Sequence, residues 1–538
     1  MHEDGAREII TAADLWTDVL SAATGLRNAG LHPDDVVILI MGHSRQLITT
    51  FLGAMALGAV PTIVSTATAR LDLEVYRKRI DVLVRCAAAA AVITHPADAI
   101  PLHDLLTGLT CPVISSDTLT GTADPSALSP TPSPDQTAFI QYTSGSGGVQ
   151  KGAVHTHGAV LRYIESKHRG YPFASDDVMV SWLPLYHDLG LLSGLLTPLV
   201  VGFRTVLMSP VQWVRQPGIL LHAVHEYGGT LCYMPNFALN HCVRAVRERD
   251  VRDLDLRRWK LVTLGGEPVR VGSLRAFAER FAAQGFRESA LRAGYGMAEV
   301  VEGVTVGREG PPKVDWISVA TLQRDARAEP LASTAPGATA FVSCGPPKDG
   351  AEVQIVRDDG TLLPERGVGE IEVRSEYMMR EYHRRPDLTR AAFREGWFRT
   401  GDLGYLVGGE LYVVGRKSDL IIVGGRNIAP EEIEAAAEQV PGVVAGRAVA
   451  FGVADERAGT ERVILICETA QPDDPAQQIA LERRLRRVMT QALEITLGEV
   501  RMVERGWIIK TSSGKKARSD NRDKYRRQFG SAPEAIPR

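Results

Sequence analysis

Tyr142-Thr-Ser-Gly-Ser-Gly-Gly-Val-Gln-Lys-Gly152 is the stretch that decides how the rest of the chain is interpreted. An apolar run at 138–141 precedes it and is typical of a short buried strand. Glycines let a backbone approach an anion closely and turn its amide groups toward it. Lys151 adds a mobile positive charge, and the stretch therefore predicts a loop that binds the phosphates of a nucleotide. The remaining donors of this loop are Thr143, Ser144, Gly145 and Ser146.

The loop differs from two common phosphate-binding motifs. No Gly-Lys-Ser/Thr closes it, so it is not a Walker loop, and the chain has no G-x-G-x-x-G dinucleotide pattern. A run of serines and glycines can also be a flexible turn that binds nothing. The motifs further along the chain decide between these two interpretations.

The size and charge of the chain exclude several classes of protein. With 538 residues it is too long for one ordinary core, so two or more domains are expected. A net charge of −3 gives no reason to expect nucleic acid as a partner. The charged N-terminus and the absence of a long apolar run predict neither a signal peptide nor a membrane span. The six cysteines lack C-x-x-C or metal spacing, which is typical of core thiols in a reducing cytoplasm.

Apolar runs and amphipathic stretches alternate along the first part of the chain, as at 36–41, 47–57 and 60–64. This alternation predicts parallel strand pairing and an α/β layered fold. Residues 303–340 are expected to be irregular, and short alternating runs from Ala351 onward predict a small β-rich subdomain. A different set of elements begins near residue 416. We therefore expect an N-terminal domain over 1–415 and a small α+β C-terminal domain over 416–538.

Four motifs follow directly after four predicted apolar strands. They are Leu183-Pro-Leu-Tyr-His-Asp188, Pro235-Asn-Phe237, Gly265-Gly-Glu-Pro268 and Gly294-Tyr-Gly-Met-Ala-Glu299. In open α/β sheets, ligands bind at the carboxyl ends of the strands. Any one of these motifs could be an unrelated turn, but the four together indicate a ligand site at this edge of the sheet.

These motifs and several later ones resemble those of one family. In chain order the set is Tyr142-Thr-Ser-Gly-Ser146, Trp182-Leu-Pro-Leu-Tyr-His-Asp188, Pro235-Asn-Phe237, Gly266-Glu-Pro-Val269, Tyr295-Gly-Met-Ala-Glu299, Val342-Ser-Cys-Gly345, Trp397-Phe-Arg-Thr-Gly-Asp-Leu-Gly404, Gly415-Arg416, Gly425-Arg-Asn427 and Lys510-Thr-Ser-Ser-Gly-Lys515. The chain resembles the adenylate-forming superfamily of acyl-CoA synthetases, peptide-synthetase adenylation domains and luciferases. It is most similar to fatty acyl-AMP ligases. Ala298, where CoA ligases usually carry Thr, and the long segment between Glu299 and Ser343 favour that branch.

The resemblance implies that ATP activates a carboxylic acid, fatty or related, to acyl-AMP with release of pyrophosphate. Both reactants are anions, so the site must stabilise charge on the phosphoryl oxygens. The resemblance also implies that the acyl group passes to the phosphopantetheine of an acyl-carrier protein. In the AMP ligases a comparable long segment restrains the C-terminal domain and disfavours CoA.

The resemblance assigns roles to individual residues. Lys515 matches the catalytic lysine of the mobile C-terminal lid, although the basic run around it would alone indicate a solvated tail. His187 matches a group beside the substrate carboxylate, with a core histidine as the alternative. Glu299 matches the Mg²⁺ ligand, and Ser418 falls at the hinge between the domains. The residues expected to contact the nucleotide are Thr143, Ser144, Gly145, Ser146, Lys151, Gly266, Glu267, Tyr295, Gly296, Asp402 and Arg416. The residues expected to line the acyl pocket are Met234, Phe237 and Leu239.

Two positions depart from the family pattern, Gly147 where the loop usually has Thr and Gln150 where it often has Pro. Loss of the hydroxyl removes one phosphate contact, so we expect weaker ATP binding that is not abolished. Three alternatives stay open. They are an acyl-CoA ligase, an AMP ligase for an unusual small or aryl acid or for nitrite, and a degenerate nucleotide-binding regulator without turnover.

Overall fold

The structure is a computed structural model that describes residues 7–67, 73–96, 98, 100, 102–119, 121–129, 132–142, 151–423, 426–455, 460–470, 474–493, 495–511 and 514–529. Most of the phosphate-binding loop lies outside these residues. The predictions for Thr143, Ser144, Gly145, Ser146, Gly147 and Gln150 fall there.

The first part of the chain forms a four-stranded parallel sheet. Its strands are β1 (Val36–Ile40), β2 (Val60–Ile63), β3 (Ala91–Thr94) and β4 (Val113–Ser115), and its helices are α1 (Ala12–Asn28), α2 (Arg45–Leu57), α3 (Leu73–Ala87) and α4 (Leu102–Leu105). The strand order is β2-β1-β3-β4. Every residue of β1 is buried, because helices cover both faces of a parallel sheet and its strands are apolar throughout.

The second sheet carries most of the candidate site. It is preceded by the antiparallel pair β5 (Thr137–Tyr142) and β6 (Gly152–Thr156). Its strands are β7 (Val178–Ser181), β8 (Arg204–Leu207), β9 (Leu231–Met234), β10 (Leu261–Leu264), β11 (Leu291–Tyr295) and β12 (Thr305–Val306). The order is β12-β11-β10-β9-β7-β8, with only β12 antiparallel to its neighbour. The helices of this part are α5 (His157–Gly170), α6 (Thr197–Val201), α7 (Pro210–Arg215), α8 (Gly218–Tyr227), α9 (Asn236–Ala245) and α10 (Val271–Phe281).

The segment predicted to be irregular, 303–340, contains regular structure. It forms β13 (Val314–Ser318), helix α11 (Val319–Asp325) and β14 (Ala338–Val342), and the two strands pair antiparallel. The prediction was wrong because the strands form a small two-stranded sheet that is largely half-exposed, so they lack a long apolar run. Val319 at the start of α11 is buried in the main apolar cluster of the C-terminal region.

The β-rich subdomain follows as predicted. It consists of β15 (Ala351–Val356), β16 (Gly369–Ser375), helix α12 (Pro386–Ala392), β17 (Phe393–Arg394), β18 (Trp397–Val407) and β19 (Glu410–Arg416). A short 3₁₀ turn, Lys417–Asp419, then leads into the C-terminal elements.

The C-terminal region is α+β. Its elements are β20 (Ile421–Val423), β21 (Arg426–Ile428), α13 (Pro430–Glu438), β22 (Val443–Asp455), β23 (Thr460–Thr469), α14 (Pro475–Leu493), β24 (Leu497–Val503) and α15 (Arg518–Phe529). Strands β22, β23 and β24 form its sheet, and Val319 is the contribution of the large domain to its main apolar cluster. The α/β fold with a separate C-terminal region confirms the predicted fold class. Among the described residues, no helix combines the length and apolar character that crossing a membrane requires.

Candidate active site

The carboxyl ends of β7, β9, β10 and β11 open into a cleft of about 3070 Å³. The four motifs predicted from the sequence meet there, because the ends of parallel strands lie along the same edge of a sheet. The first half of β18, the end of β19 and the loop before α15 also line the cleft. Lining residues from all these elements include His187, Phe237, Glu267, Glu299, Asp402, Arg416 and Lys515.

One wall is built from Tyr295, Asp402 and Arg416. The Tyr295 hydroxyl donates to Asp402 Oδ2 at 2.8 Å, and Arg416 Nε donates to Asp402 Oδ1 at 2.9 Å. Asp402 and Arg416 face each other across the paired strands β18 and β19. Burial, reinforced by the charge of Asp402, raises the pKa of Tyr295 well above its usual value, so the phenol stays protonated. The wall thus presents a ring, a carboxylate and a guanidinium, which suit a base and a ribose.

The loop that carries Lys515 lies against the glycine motif after β10. Gly266 has a φ of +80°, and a Cβ placed there would lie 4.0 Å from Lys515 Cε. A Cβ placed on Gly514 would lie 3.4 Å from Phe237 Cε1. The structure therefore brings the loop of the predicted lid lysine into the cleft, beside two motifs of the large sheet.

The basic residues that follow Lys515 are held inside the C-terminal region. Lys516 Nζ lies 2.9 Å from Glu434 Oε2, and Arg518 pairs with Glu434 at 2.9 Å and with Asp419 at 2.8 Å. Burial would raise the pKa of Glu434, but Lys516 and Arg518 outweigh it and lower the pKa. These charges are packed and paired, so the run is not the solvated tail that its composition allowed.

The turn after β7 places His187 and Asp188 in the cleft. His187 Nδ1 pairs with Asp188 Oδ1, and the Leu189 amide donates to the same oxygen at 2.7 Å. Burial would raise the pKa of Asp188, but His187 and then Lys515 outweigh it, so the pKa is lowered. The His187 side chain is 21% exposed, so it is not a fully enclosed core histidine.

Glu299 is oriented by a tyrosine from the β-rich subdomain. The Tyr382 hydroxyl donates to Glu299 Oε1 at 2.6 Å, and Lys151 Nζ lies 5.2 Å from the centroid of the Tyr382 ring. Mg²⁺ is usually held by one or two carboxylates together with substrate phosphates, and a carboxylate fixed in this way fits such an ion. Among the described residues no group of three or more His, Cys, Asp and Glu side chains could hold a metal by itself.

Two further residues predicted to contact the nucleotide shape the same edge. Glu267 Oε1 accepts a hydrogen bond from the Phe237 amide at 2.5 Å, which joins the motifs after β9 and β10. Burial raises the pKa of Glu267, against the opposing charges of nearby lysines. A Cβ on Gly296 would lie 2.0 Å from the carbonyl oxygen of Glu302, so the backbone there is too close for any other residue.

The three residues predicted for the acyl pocket separate in the structure. Phe237 lines the cleft, whereas Met234 and Leu239 are fully buried in the core behind it. Phe237 meets the rings of Trp182 and Trp213 edge-on, and these two indoles stack with centroids 3.6 Å apart. Burial in the core is the default for apolar side chains, and it accounts for Met234 and Leu239.

Ser418 occupies the connection between the large domain and the C-terminal elements. It lies in the 3₁₀ turn after β19, and its hydroxyl donates to Asp419 Oδ1 at 3.1 Å. Lys417, the residue before it, pairs with Asp358 at 2.6 Å. The predicted hinge is thus a short turn with an anchored first residue.

The family model described as AMP-binding enzyme matches residues 2–383. The chain belongs to the AMP-binding enzyme family. Long-chain-fatty-acid–AMP ligase FadD26 of Mycobacterium bovis is 30% identical over 550 residues, which cover 97% of this chain and 92% of the relative. The resemblance inferred from the motifs is therefore confirmed, and this AMP-binding enzyme is an ATP-dependent adenylate-forming ligase.

Solved structures agree with this assignment. A structure from work on fatty acyl-adenylate ligases of E. coli and L. pneumophila gives a TM-score of 0.91 at 28% identity, covering 99% of this chain and 95% of that chain. McyG A-PCP in complex with phenylalanyl-adenylate gives a TM-score of 0.85 at 25% identity, covering 98% of this chain and 80% of that chain.

Two side chains of this AMP-binding enzyme's cleft were missed from the sequence. Asp188 sits inside a quoted motif but was given no role, and an acidic residue directly beside His187 was the available signal. Tyr382 reaches Glu299 because its backbone bridges to Ala153 of β6, far away in the chain. No local pattern marks that contact, so only the folded structure could reveal it.

Proposed function

We propose that this AMP-binding enzyme joins a carboxylic acid, fatty or related, to AMP and then passes the acyl group to a phosphopantetheine thiol on a carrier protein. The observation that carries the proposal is the position of Lys515, which lies against Gly266 at the edge where the strand-end motifs converge. A cation delivered to that edge is what a reaction between two anions needs.

The chemistry of the first step follows from charge. The acid's carboxylate oxygen attacks the α-phosphorus of ATP, the bond to the bridging oxygen breaks, and pyrophosphate leaves with the bonding electrons. We assign Lys515 to the phosphoryl oxygens, where negative charge concentrates during this exchange. We assign His187 to the side of the acid, with Asp188 holding its ring through Nδ1.

The nucleotide is proposed to lie along the wall of Tyr295, Asp402 and Arg416. Tyr295 offers a ring for the base, and Asp402 already accepts from Tyr295 and Arg416 at the ribose position. Glu299, oriented by Tyr382, is the residue that would hold Mg²⁺. When bound, that ion neutralises phosphate charge, and Lys151 adds a second positive charge on the same side.

The second step requires the C-terminal region to leave its present contact. We propose domains at 1–415 and 416–538 with Ser418 as the pivot, so that withdrawal of Lys515 opens the acyl-AMP to the incoming thiol. The thiol sulfur attacks the acyl carbon, AMP leaves, and the thiol proton is released. McyG A-PCP, a relative whose structure includes a carrier domain, supports a carrier protein as the acceptor.

The test measures each half-reaction separately. Purified enzyme with ATP, Mg²⁺ and a panel of acids is followed by pyrophosphate release and by mass spectrometry of acyl-AMP. The second step is then assayed with holo-carrier protein and with CoA at equal concentration. We expect acyl-AMP from at least one acid and transfer to the carrier in excess of transfer to CoA.

Each alternative gives a distinct result in this assay. Preferential formation of acyl-CoA would show that CoA, and not a carrier protein, accepts the acyl group. Turnover with aryl acids alone, or with nitrite alone, would show that the substrate is not a fatty or related acid. Absence of pyrophosphate release above the Lys515→Ala background with every acid would leave only a nucleotide-binding regulator.

A further inference from the structure

A row of polar residues crosses the large sheet below the glycine motifs. In the strand register Tyr233 of β9 is opposite Thr263 of β10, and Thr263 is opposite Arg292 of β11. Because residues two apart on a strand share a face, Thr263 and Arg292 lie on the same face as Gly265 and Gly294. At about 3.3 Å per residue, the two rows are separated by about 7 Å.

The space between these rows is open beside Gly265, whereas a Cβ on Gly294 would lie 3.0 Å from the carbonyl oxygen of Thr305 and 3.7 Å from Thr263 Cγ2. Neither glycine carries a side chain, and a Cβ on Gly265 would meet only the carbonyl oxygen of Gly294, at 3.6 Å. Gly265, Gly294, Thr263 and Arg292 all line the cleft that also contains Lys515. An acid whose carboxylate lies beside Lys515 can therefore extend down the sheet toward Arg292.

Arg292 is a buried cation whose Nε is left unpaired by the described residues. The residue is 8% exposed. The hydroxyl of Thr263, its neighbour on β10, is likewise buried without a partner in the described part of the chain. The guanidinium lies 5.4 Å from the centroid of the Tyr171 ring, a contact that does not neutralise its charge. Buried charges are normally paired, so this arrangement points to a ligand.

A second group of charges lines the same part of the cleft. Lys167 Nζ lies 4.3 Å from the Tyr233 ring centroid and 3.5 Å from Glu302 Oε1. Lys348 Nζ donates to the Tyr163 hydroxyl at 3.1 Å. Burial, together with Lys167, lowers the pKa of Lys348 to about 7 against the opposing effect of Glu302.

In the described part of the chain Arg292 makes no ion pair, although the carboxylate of Glu309 also lines the cleft. Lys167 is paired with Glu302, and Lys348, with a pKa of about 7, is only partly charged at neutral pH. A plain hydrocarbon chain placed here would leave the Arg292 guanidinium buried and unpaired. An anionic group would accept hydrogen bonds from the guanidinium and from the free hydroxyl of Thr263.

We propose that the acid activated by this enzyme carries a second, distal anionic group that binds at Arg292, with a dicarboxylic acid as its simplest form. This inference rests on the proposed function, because it places the reacting carboxylate beside Lys515. The separation of about 7 Å between the two rows favours short chains, about four to eight carbons from end to end.

The first test compares matched acids in ATP–pyrophosphate exchange. Each dicarboxylic acid from succinic to suberic is paired with the monocarboxylic acid of equal length, with its monomethyl ester and with the ω-amino acid. We expect kcat/KM for the best dicarboxylic acid to exceed that of its monocarboxylic counterpart by about tenfold or more, the value of a hydrogen-bonded charge.

Variants then locate the effect. Arg292→Leu should lower kcat/KM for the dicarboxylic acid by about tenfold or more and leave the monocarboxylic acid unchanged or improved. Arg287→Leu, which removes an exposed arginine just before β11, is the matched control and should leave both values unchanged. If Arg292→Leu fails to fold, Arg292→Lys takes its place. A partial loss confined to the dicarboxylic acid supports the assignment, and unchanged selectivity overturns it.

The outcomes distinguish failure of the distal anion site from failure of the proposed adenylation function. Equal or better use of monocarboxylic acids, or preference for the ω-amino acid, overturns the distal anion site while adenylation stands. Selectivity that survives in Arg292→Leu also overturns it. Absence of exchange with every acid overturns the proposed function itself, and the inference with it.

Discussion

Two of the contacts between the C-terminal region and the large domain differ in character. At the first, Lys515 and Gly514 lie against Gly266 and Phe237. At the second, Val319 of α11 is buried among apolar side chains of the C-terminal region, such as Ile421 and Ile433. The contact of Lys515 and Gly514 involves few atoms, whereas the contact of α11 buries apolar surface.

The two contacts are suited to different roles, one to reversible docking of Lys515 and the other to limiting the movement of the domain. A contact that must form and release in each turnover cannot be strongly stabilised, because any extra stability would have to be overcome before the acyl group is transferred. A contact that limits how far the domain travels should bury apolar surface, which is worth about 25 cal/mol per Å². We infer that α11 restrains the C-terminal domain while Lys515 is free to enter and leave the cleft.

Removing the Lys515 side chain should have the largest effect of the changes considered, and the effect should be on the rate of acyl-AMP formation. We expect Lys515→Ala to lower the rate of acyl-AMP formation by about 10²–10³-fold, because the donor acts on the charge of the transition state. ATP–pyrophosphate exchange measures this rate. Lys524→Ala is the control, since Lys524 donates to the carbonyl oxygen of Trp507 instead of lining the cleft, and it should exchange at the wild-type rate. Equal rates for both variants would remove Lys515 from the mechanism.

The strand ends of the site were predictable from the sequence, but α11 was not. Runs such as 261–264 are fully buried in a parallel sheet, so they are apolar throughout and end sharply at a glycine motif. Val319 follows a half-exposed strand within a segment rich in glycine and proline, and its burial depends on residues about a hundred positions away. Contacts between distant parts of a chain leave no local pattern, which also explains why Tyr382 and the Arg292 row were missed.

Restricting the hinge should separate the two half-reactions. Proline fixes φ at about −65° and removes an amide donor, so Ser418→Pro should limit rotation of the C-terminal domain. We expect transfer to holo-carrier protein to fall by about tenfold while acyl-AMP formation changes little. Ser418→Ala removes only the hydroxyl and should retain both steps. A proline variant with both half-reactions intact would place the pivot elsewhere.

Weakening the contact of α11 should change the choice of acceptor. Val319→Asp places a carboxylate in an apolar cluster. Unless the helix moves away, this lowers the free energy of unfolding by roughly several kcal/mol. We expect acyl-CoA formation to rise severalfold relative to transfer to the carrier, measured in a competition between the two thiols.

The neighbouring residue provides the control for that variant. Ala320 is exposed on the same helix, so Ala320→Asp adds the same charge without burying it and should leave the ratio of products unchanged. If Val319→Asp lowers stability but leaves the ratio unchanged, the contact supports folding and does not restrain the domain.

The smallest expected effect concerns Glu432, which lies on α13 where the C-terminal region meets α11. Burial, offset in part by Arg270 and reinforced by Glu431, raises the pKa of Glu432 to about 7, and Gln323 of α11 lies beside it. A carboxyl whose pKa is raised by folding stabilises the protein when protonated. That stabilisation is complete below its unfolded pKa of about 4.5 and is lost as pH rises through about 7.

Glu432→Gln should therefore stabilise the protein only where the wild-type carboxylate is ionised. We expect the melting temperature of the variant to exceed that of the wild type by about 1–3 °C at pH 8 and to match it at pH 5, by calorimetry at both values. The glutamine amide is neutral at every pH, so the variant keeps the stability that the wild type has only when Glu432 is protonated. A difference of the same size at both pH values would show that packing, and not the buried charge, sets the strength of this contact.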